Sequence, residues 1–251
     1  MTTQDTLGII VYAPALVGND RRTLAAVQGL ERALPGVRLE WRLSEQGVPI
    51  ALPQRDEWLA EAAARGEFPL LCNGDESHAV TISGHGNPAH LSPGGQALFQ
   101  IHAELPLDAT GIATTAVVLE EIAEGMRAFW GHATPLSAGV EIARQTTDPV
   151  RKPQVPPRGL PALKFPDRIS SPAIPHRLGW MNYWSAATAR VLGFPDPSRD
   201  ADLLSQAQRT ATGGWVVRLT EAPLDLDNPR HLDTLLRAYE RFPQVGGRST
   251  P

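Results

Sequence analysis

Cysteine is nearly absent from this chain. Cys72 stands alone among 251 residues, which excludes an internal disulfide and any multi-cysteine zinc or iron–sulfur site. Its setting, the apolar run Phe68-Pro-Leu-Leu-Cys72, marks it as a small core residue. No apolar run approaches the roughly 18–20 residues needed to span a bilayer. Met1-Thr-Thr-Gln-Asp-Thr carries no basic n-region, and Leu7–Tyr12 is too short for a signal core, so the cytoplasm is the expected location. A Rossmann G-x-G-x-x-G, a P-loop, H-E-x-x-H, G-x-S-x-G and C-x-x-C are all missing, which removes the easily recognised enzyme classes. There is no internal repeat.

The composition, 42% apolar and 20% charged, is that of a folded protein long enough to bury a full core. Its net charge of −4 is unevenly spread. Residues 1–125 hold 7 Arg and no Lys against 16 acidic residues, a balance of −9, while residues 126–251 hold 16 basic against 11 acidic, a balance of +5. An acidic half disfavours nucleic acid, because phosphate contacts need a cationic surface. It suits a basic protein partner.

Along the chain, Leu7–Ala13 reads as a buried first strand. Asn19-Asp20 can cap a helix whose stripe is Leu24, Val27, Leu30 and Leu34, stopped at Pro35-Gly36. Val37–Leu43 alternates like a half-exposed strand, and a short helix fits Arg55–Arg65. Phe68–Cys72 and Ala79–Ser83 flank Asn73-Gly-Asp-Glu76, a hairpin signal. Gly84–Gly95 reads as a loop and Ala97–Glu104 as a strand. A long helix is expected over Ala109–Trp130, buried along Val118, Ile122, Met126 and Phe129, with Glu120, Glu121 and Glu124 forming an exposed acidic strip. Ser137–Ala143 is expected to return as a strand. Thr147–Pro175, with eight prolines in 29 residues, reads as an ordered connection. Beyond it, Tyr183–Leu192 is expected as a helix closed by Gly193, Trp215–Thr220 as a strand, and Asn228-Pro229 as the start of a last helix. The expected fold is α+β: two mixed α/β subdomains with mainly antiparallel sheets. They span residues 1–146 and 178–251, joined by the Pro-rich connection 147–177 or integrated into one domain.

Chemistry is sparse. His78, His85 and His90 fall within 13 residues, near Asp75 and Glu76, but at no metal-motif spacing. Ser83, His85 and Asp75 could be arranged as a nucleophilic set only by geometry that sequence does not supply. Asp225 and Asp227 read as turn and helix-start residues, His132 as a residue at a helix C-terminus, and His231 as a first-turn hydrogen-bonding group. No catalytic, cofactor or metal residue is assigned. Gly179, Trp180, Tyr183, Trp184, Gly213, Gly214 and Trp215 are the distinctive residues, with a packing role expected.

These segments also carry a resemblance. Gly179-Trp180, Tyr183-Trp184, Gly213-Gly-Trp215, Leu219-Thr220 and Leu224-Asp-Leu-Asp-Asn-Pro-Arg-His-Leu232 resemble the C-terminal signature of the bacterial polymorphic-toxin immunity proteins, immunity protein 52 in particular. Ile10-Val-Tyr-Ala-Pro14, Leu71-Cys-Asn-Gly-Asp75 and Phe129-Trp-Gly-His-Ala133 look like segments of a myxobacterial family. The resemblance implies a cytoplasmic protein, not an enzyme, that binds and neutralises a cognate protein toxin such as a nuclease. It brings no catalytic residues. The acidic positions Asp75, Glu76, Glu120, Glu121 and Glu124 are the expected toxin contacts, acting as phosphate mimics. No cofactor, nucleic acid or membrane is expected as a partner. The alternative is a hydrolase or metal-dependent enzyme built on the histidine-containing loop 75–90.

Overall fold

The computed structural model describes residues 6–18, 20–146 and 155–249. Asn19 of the expected cap pair and the first eight residues of the Pro-rich connection lie outside them. Among the described residues the order is β1 (Thr6–Pro14), α1 (Arg22–Ala33), β2 (Trp41–Leu43), β3 (Pro49–Ala51), α2 (Arg55–Ala64), β4 (Phe68–Cys72), β5 (Thr81–Asn87) and β6 (Leu98–Pro106). Then come α3 (Ala109–Gly125), β7 (Trp130–Pro135), α4 (Leu136–Ala143), β8 (Met181–Trp184), α5 (Ala186–Leu192), α6 (Ala201–Leu204), β9 (Ala207–Arg209), β10 (Trp215–Arg218) and α7 (Pro229–Arg241). No helix among them is long and apolar enough to cross a membrane.

The fold is α+β, as expected. Its strands form one ten-stranded antiparallel sheet, in the order β3-β2-β4-β5-β6-β1-β7-β8-β10-β9. Strands from residues before and after the Pro-rich stretch therefore share a sheet, joined where β7 pairs with β8. The central strand β1 lies between β6 and β7 and alternates in burial along its length. Leu7, Ile9, Val11 and Ala13 point to the face covered by α1 and α3. That assignment follows from register: Val11 lies beside Gly131, Gly131 beside Tyr183, and the Tyr183 hydroxyl donates to Glu124 of α3. Ile10 and Tyr12 point to the other face.

The helical layer is close. A Cβ at Gly125 of α3 would come within 2.9 Å of the Ala26 nitrogen of α1, so only glycine lets the two backbones meet there. Arg22 locks the same corner: its guanidinium pairs with Asp20 and donates to the Pro14, Ala15 and Met126 carbonyls. Thus the end of β1, the start of α1 and the end of α3 are tied by one side chain.

Several elements differ from expectation. The strand over 37–43 shortens to Trp41–Leu43, because Leu39 is drawn into the core and its N–H donates to the Glu31 carboxylate. Residues 84–87 are not loop but the end of β5, paired with β6. A Cβ at Gly84 would lie 2.5 Å from the Phe99 ring, so the glycine serves close packing, not a turn. The long helix stops at Gly125. The chain then turns through Arg127 at φ 52°, and the Phe129 N–H joins Tyr12 O to begin the ladder of β7. Every residue of β7 is buried, covered on both faces, so it shows none of the alternation that marks a half-exposed strand. Ser137–Ala143 belongs to helix α4, whose buried Ala138 and Ile142 are four residues apart. Tyr183 and Trp184 belong to β8, and the helix begins only at Ala186, capped by the Ser185 hydroxyl and closed by Gly193 in the left-handed region. Asn228 caps α7 as expected, accepting from the Arg230 N–H.

The aromatic signature is core. Trp180, Tyr183 and Trp184 are buried, and the Trp180 indole N–H donates to Thr220 O. Trp184 meets Phe194 and Phe242 edge-on, at 5.1 and 5.0 Å between ring centroids. Replacing Trp184 by Ala removes the ring at the centre of this cluster. It should cost about 3–5 kcal/mol, read as a lowered urea midpoint, whereas Trp41→Phe, at a half-buried ring, should cost far less.

Candidate functional site

The hairpin between β4 and β5 brings the expected residues Asp75 and Glu76 to an exposed tip. Local hydrogen bonds shape it. Asn73 accepts from the Val80 N–H at 3.1 Å and donates to His78 O at 2.9 Å, closing the loop across its base. Gly74, at φ 75°, lies against the Trp41 indole, where a Cβ would come within 2.8 Å of Nε1. Asp75 Oδ1 accepts from the Ser77 N–H (2.9 Å), the Ser77 hydroxyl (2.6 Å) and the His78 N–H (3.3 Å). These bonds, the Ser77 hydroxyl foremost, hold its carboxyl below the usual range. Beside the tip a cleft of about 460 Å³ opens between the ends of α1, β6 and α3, lined among others by Arg38, Trp41, Asp75, His78 and Asp108. Asp108 is occupied there as the cap of α3, accepting from the Gly111 N–H at 2.8 Å.

This arrangement is poor for nucleophilic chemistry. The Ser77 proton is committed to Asp75, and His78 Nδ1 lies 3.1 Å from the Ser77 oxygen, so no histidine stands between carboxylate and hydroxyl. Ser83, His85 and Asp75 share no hydrogen bond. His85 instead stacks on His102, with centroids 5.4 Å apart. His90 is exposed on a short 3₁₀ turn. Among the described residues no group of three His, Cys, Asp or Glu side chains is placed to hold a metal ion.

The acidic positions of α3 are half-buried, not an exposed strip, and two of them have partners within the chain. Glu121 pairs with Arg32 at 2.6 Å, and Glu124 accepts from the Tyr183 hydroxyl (3.0 Å) and the Thr212 hydroxyl (2.7 Å). Burial and then the neighbouring Glu124 and Glu121 push the Glu120 carboxyl up. The hairpin tip borders the N-terminal end of α3, whereas these glutamates occupy its C-terminal half. A rise of 1.5 Å per residue separates the start of α3 from Glu120–Glu124 by about 16–23 Å. The five positions thus divide into two patches. Of the paired aspartates, Asp225 accepts from the Asp227 N–H and Asp227 pairs with Arg158. His231 Nδ1 accepts from the Asp225 N–H.

The opposite face of the sheet holds a group that the sequence reading passed over. Tyr12 and Trp130, cross-strand neighbours on β1 and β7, stack at 4.0 Å. With Asn87, Gln100, His176 and Arg177 they line a second cleft of about 370 Å³. His132 is buried in β7, not at a helix end, because the helix expected before it stops at Gly125. Burial and then the Arg177 charge hold the His132 imidazole down to about 3 and that of His176 to about 4. His, Tyr and Arg scattered over residues 12–177 carry no spacing signal.

The fold and site together define an α+β protein with a single broad antiparallel sheet and no assembled catalytic set among the described residues. The chain belongs to the DUF5953 family, described as a domain of unknown function, which it matches over residues 18–250. Its structure is similar to that of the Pseudomonas aeruginosa T6SS protein PA0821, with a TM-score of 0.57 and 16% identity, over 95% of this chain and 73% of that one. No curated protein matches the chain.

Both buried histidines are neutral when folded and titrate near 6.5 when unfolded. The unfolded state therefore binds more protons below that value. Stability is fully present above about pH 6.5 and falls as the pH drops toward 4, by up to about 1.4 kcal/mol per pH unit for each histidine. Urea midpoints at pH 7 and pH 5 should differ accordingly, and His176→Gln should flatten the difference.

Proposed function

We propose that this protein is an immunity protein of bacterial competition. It binds a cognate protein toxin, such as a nuclease, stoichiometrically in the cytoplasm and occludes its active surface. The observation that carries the reading is the similarity of fold, over nearly the whole chain, to a T6SS protein. The resemblance of residues 178–240 to immunity protein 52 points the same way. Of those residues, β8 is buried and β10 half-buried, whereas Asp225, Asp227, Pro229 and Arg230 at the approach to and start of α7 are exposed, so the resemblance covers framework and surface positions alike.

The contact surface is assigned to acidic positions. Asp75 and Glu76 are its leading members: both are exposed, and Asp75 is held as an anion. Fixed carboxylates at a projecting hairpin can pair with the Arg and Lys side chains that a nuclease uses for phosphate, which speeds encounter and blocks substrate. Glu120, Glu121 and Glu124 form a second, more constrained acidic patch.

The test is co-expression with the product of the neighbouring gene, scored for copurification and for rescue of growth. A one-to-one complex with rescue is expected. Charge reversal of Asp75 and Glu76 to Lys should slow association by about tenfold or more, with the loss shrinking as salt is raised. An unchanged association rate would remove the hairpin from the interface, and failure to bind or rescue would overturn the immunity reading itself.

A further inference from the structure

Among the described residues, the cleft beside Tyr12 and Trp130 carries a positive charge without a counter-charge. Arg22, Arg55, Arg158 and Arg241 are each partly or largely withdrawn from solvent, and each meets a carboxylate. Arg177 is half-buried and meets none among the described residues, and no acidic side chain lines the cleft. Its one hydrogen bond within them runs from a terminal nitrogen to His176 Nδ1, at 3.4 Å. The other ring nitrogen, Nε2, lies 3.0 Å from Lys164 O and donates to it, so Nδ1 presents its lone pair to the guanidinium. Arg177 Nε and the indole nitrogen of Trp130 are shielded N–H donors with no acceptor among the described residues. Desolvated donors left unpaired are costly, and a guanidinium facing a cavity without an anion is a fork without its partner.

We propose that this cleft binds a small organic carboxylate, seated by its carboxyl group on the Arg177 guanidinium, with its apolar body against Tyr12 and Leu91. The walls are preorganised for a ligand. The Asn87 amide donates to Gln100 at 3.1 Å, the Gln100 amide nitrogen lies 2.7 Å from His102 Nε2, and Ser92 donates to Pro88 O at 2.9 Å. Leu91 is well exposed at the rim, available to an apolar group. A single guanidinium matches a monoanionic, planar carboxylate in bidentate fashion. A phosphate dianion calls for more positive charge than the described residues of this cleft supply, since His176 stays neutral and no second cation among them lines it. The volume of about 370 Å³ lies within the range of small-molecule sites. The inference does not rest on the toxin-binding reading, and the cleft lies on the face of the sheet away from Asp75.

The test is a titration of the full chain, isotopically labelled, with benzoate, hexanoate and inorganic phosphate. The backbone amide signals of Asn87, Ser92 and Arg177 are followed, alongside calorimetry on the wild type and Arg177→Met. Saturable shifts at those amides with the carboxylates are expected, together with a loss of affinity of about tenfold or more in Arg177→Met. No shift with either carboxylate up to about 10 mM, equal affinity in Arg177→Met, or phosphate binding as tightly as the carboxylates would each overturn the proposal. Should Arg177→Met not fold, the wild-type titration decides. Shifts centred on those three amides sustain the site, and shifts centred elsewhere sink it.

Discussion

The short ladder between β7 and β8 is the constraint on which the rest of the molecule depends. Every strand after the Pro-rich stretch reaches the sheet through it, because β10 pairs with β8 and β9 with β10. Only four residue pairs span the junction, Trp130–Trp184 to Ala133–Met181. Glycine makes it tight: a Cβ at Gly131 would come within 2.9 Å of Ile10 O, and one at Gly179 within 2.2 Å of the Thr134 hydroxyl. Large rings then close both faces, with Tyr183 toward α3 and Trp184 toward Phe194 and Phe242. Four ladder pairs are a small seam, so side-chain burial supplies much of what holds the two parts of the sheet together.

Charge is handled by burying it in pairs. Glu31 lies in the core edge and is held by Arg55, by Arg38 and by the Leu39 N–H. Asp200 is fully buried and accepts from Arg241 and from the Asp196 N–H. Breaking such a pair leaves a buried charge alone, which is far more costly than never having buried the pair. Such pairing takes equal charge of both signs out of water, so the acidic excess of the first half stays on the surface, at exposed positions such as Glu40, Glu45, Glu57, Glu61 and Glu104. Arg177 and Arg218 fall outside this pattern: both are half-buried and meet no carboxylate among the described residues.

The parts of the fold legible in the sequence are those where one physical signal dominates. Asn228-Pro229 writes the start of α7 through a capping side chain and a residue that needs no N–H donor there. Gly193 writes the end of α5 through its left-handed conformation. The hairpin at Asn73–Glu76 and the apolar alternation of β6 were equally plain. Misreadings cluster where burial covers both faces. Met126–Trp130 continues the helix stripe, so the expected helix overruns Gly125 as far as the first residue of β7, and the rest of that strand, buried on both faces, shows no alternation to mark it. Ser137–Ala143 has β-branched residues but folds as a helix on the packing of Ala138 and Ile142. Of the candidate sites, the exposed tip at Asp75 and Glu76 was readable from local turn chemistry. The Arg177 cleft was not, because its residues come from β1, β5, β6, β7 and the approach to β8, and only the register of the sheet brings them together.

The two ends of the sheet have a consequence for how the protein can meet others. Its outermost strands, Pro49–Ala51 and Ala207–Arg209, are three residues each, and the first opens with proline, which offers no N–H. A ten-stranded sheet would otherwise display two long rows of unsatisfied backbone groups, the template on which incoming chains add strands or self-associate. Here each border is too brief to host one. Recognition by lengthening the ladder is closed off at both margins, and whatever docks on this molecule must be read by side chains and loops instead.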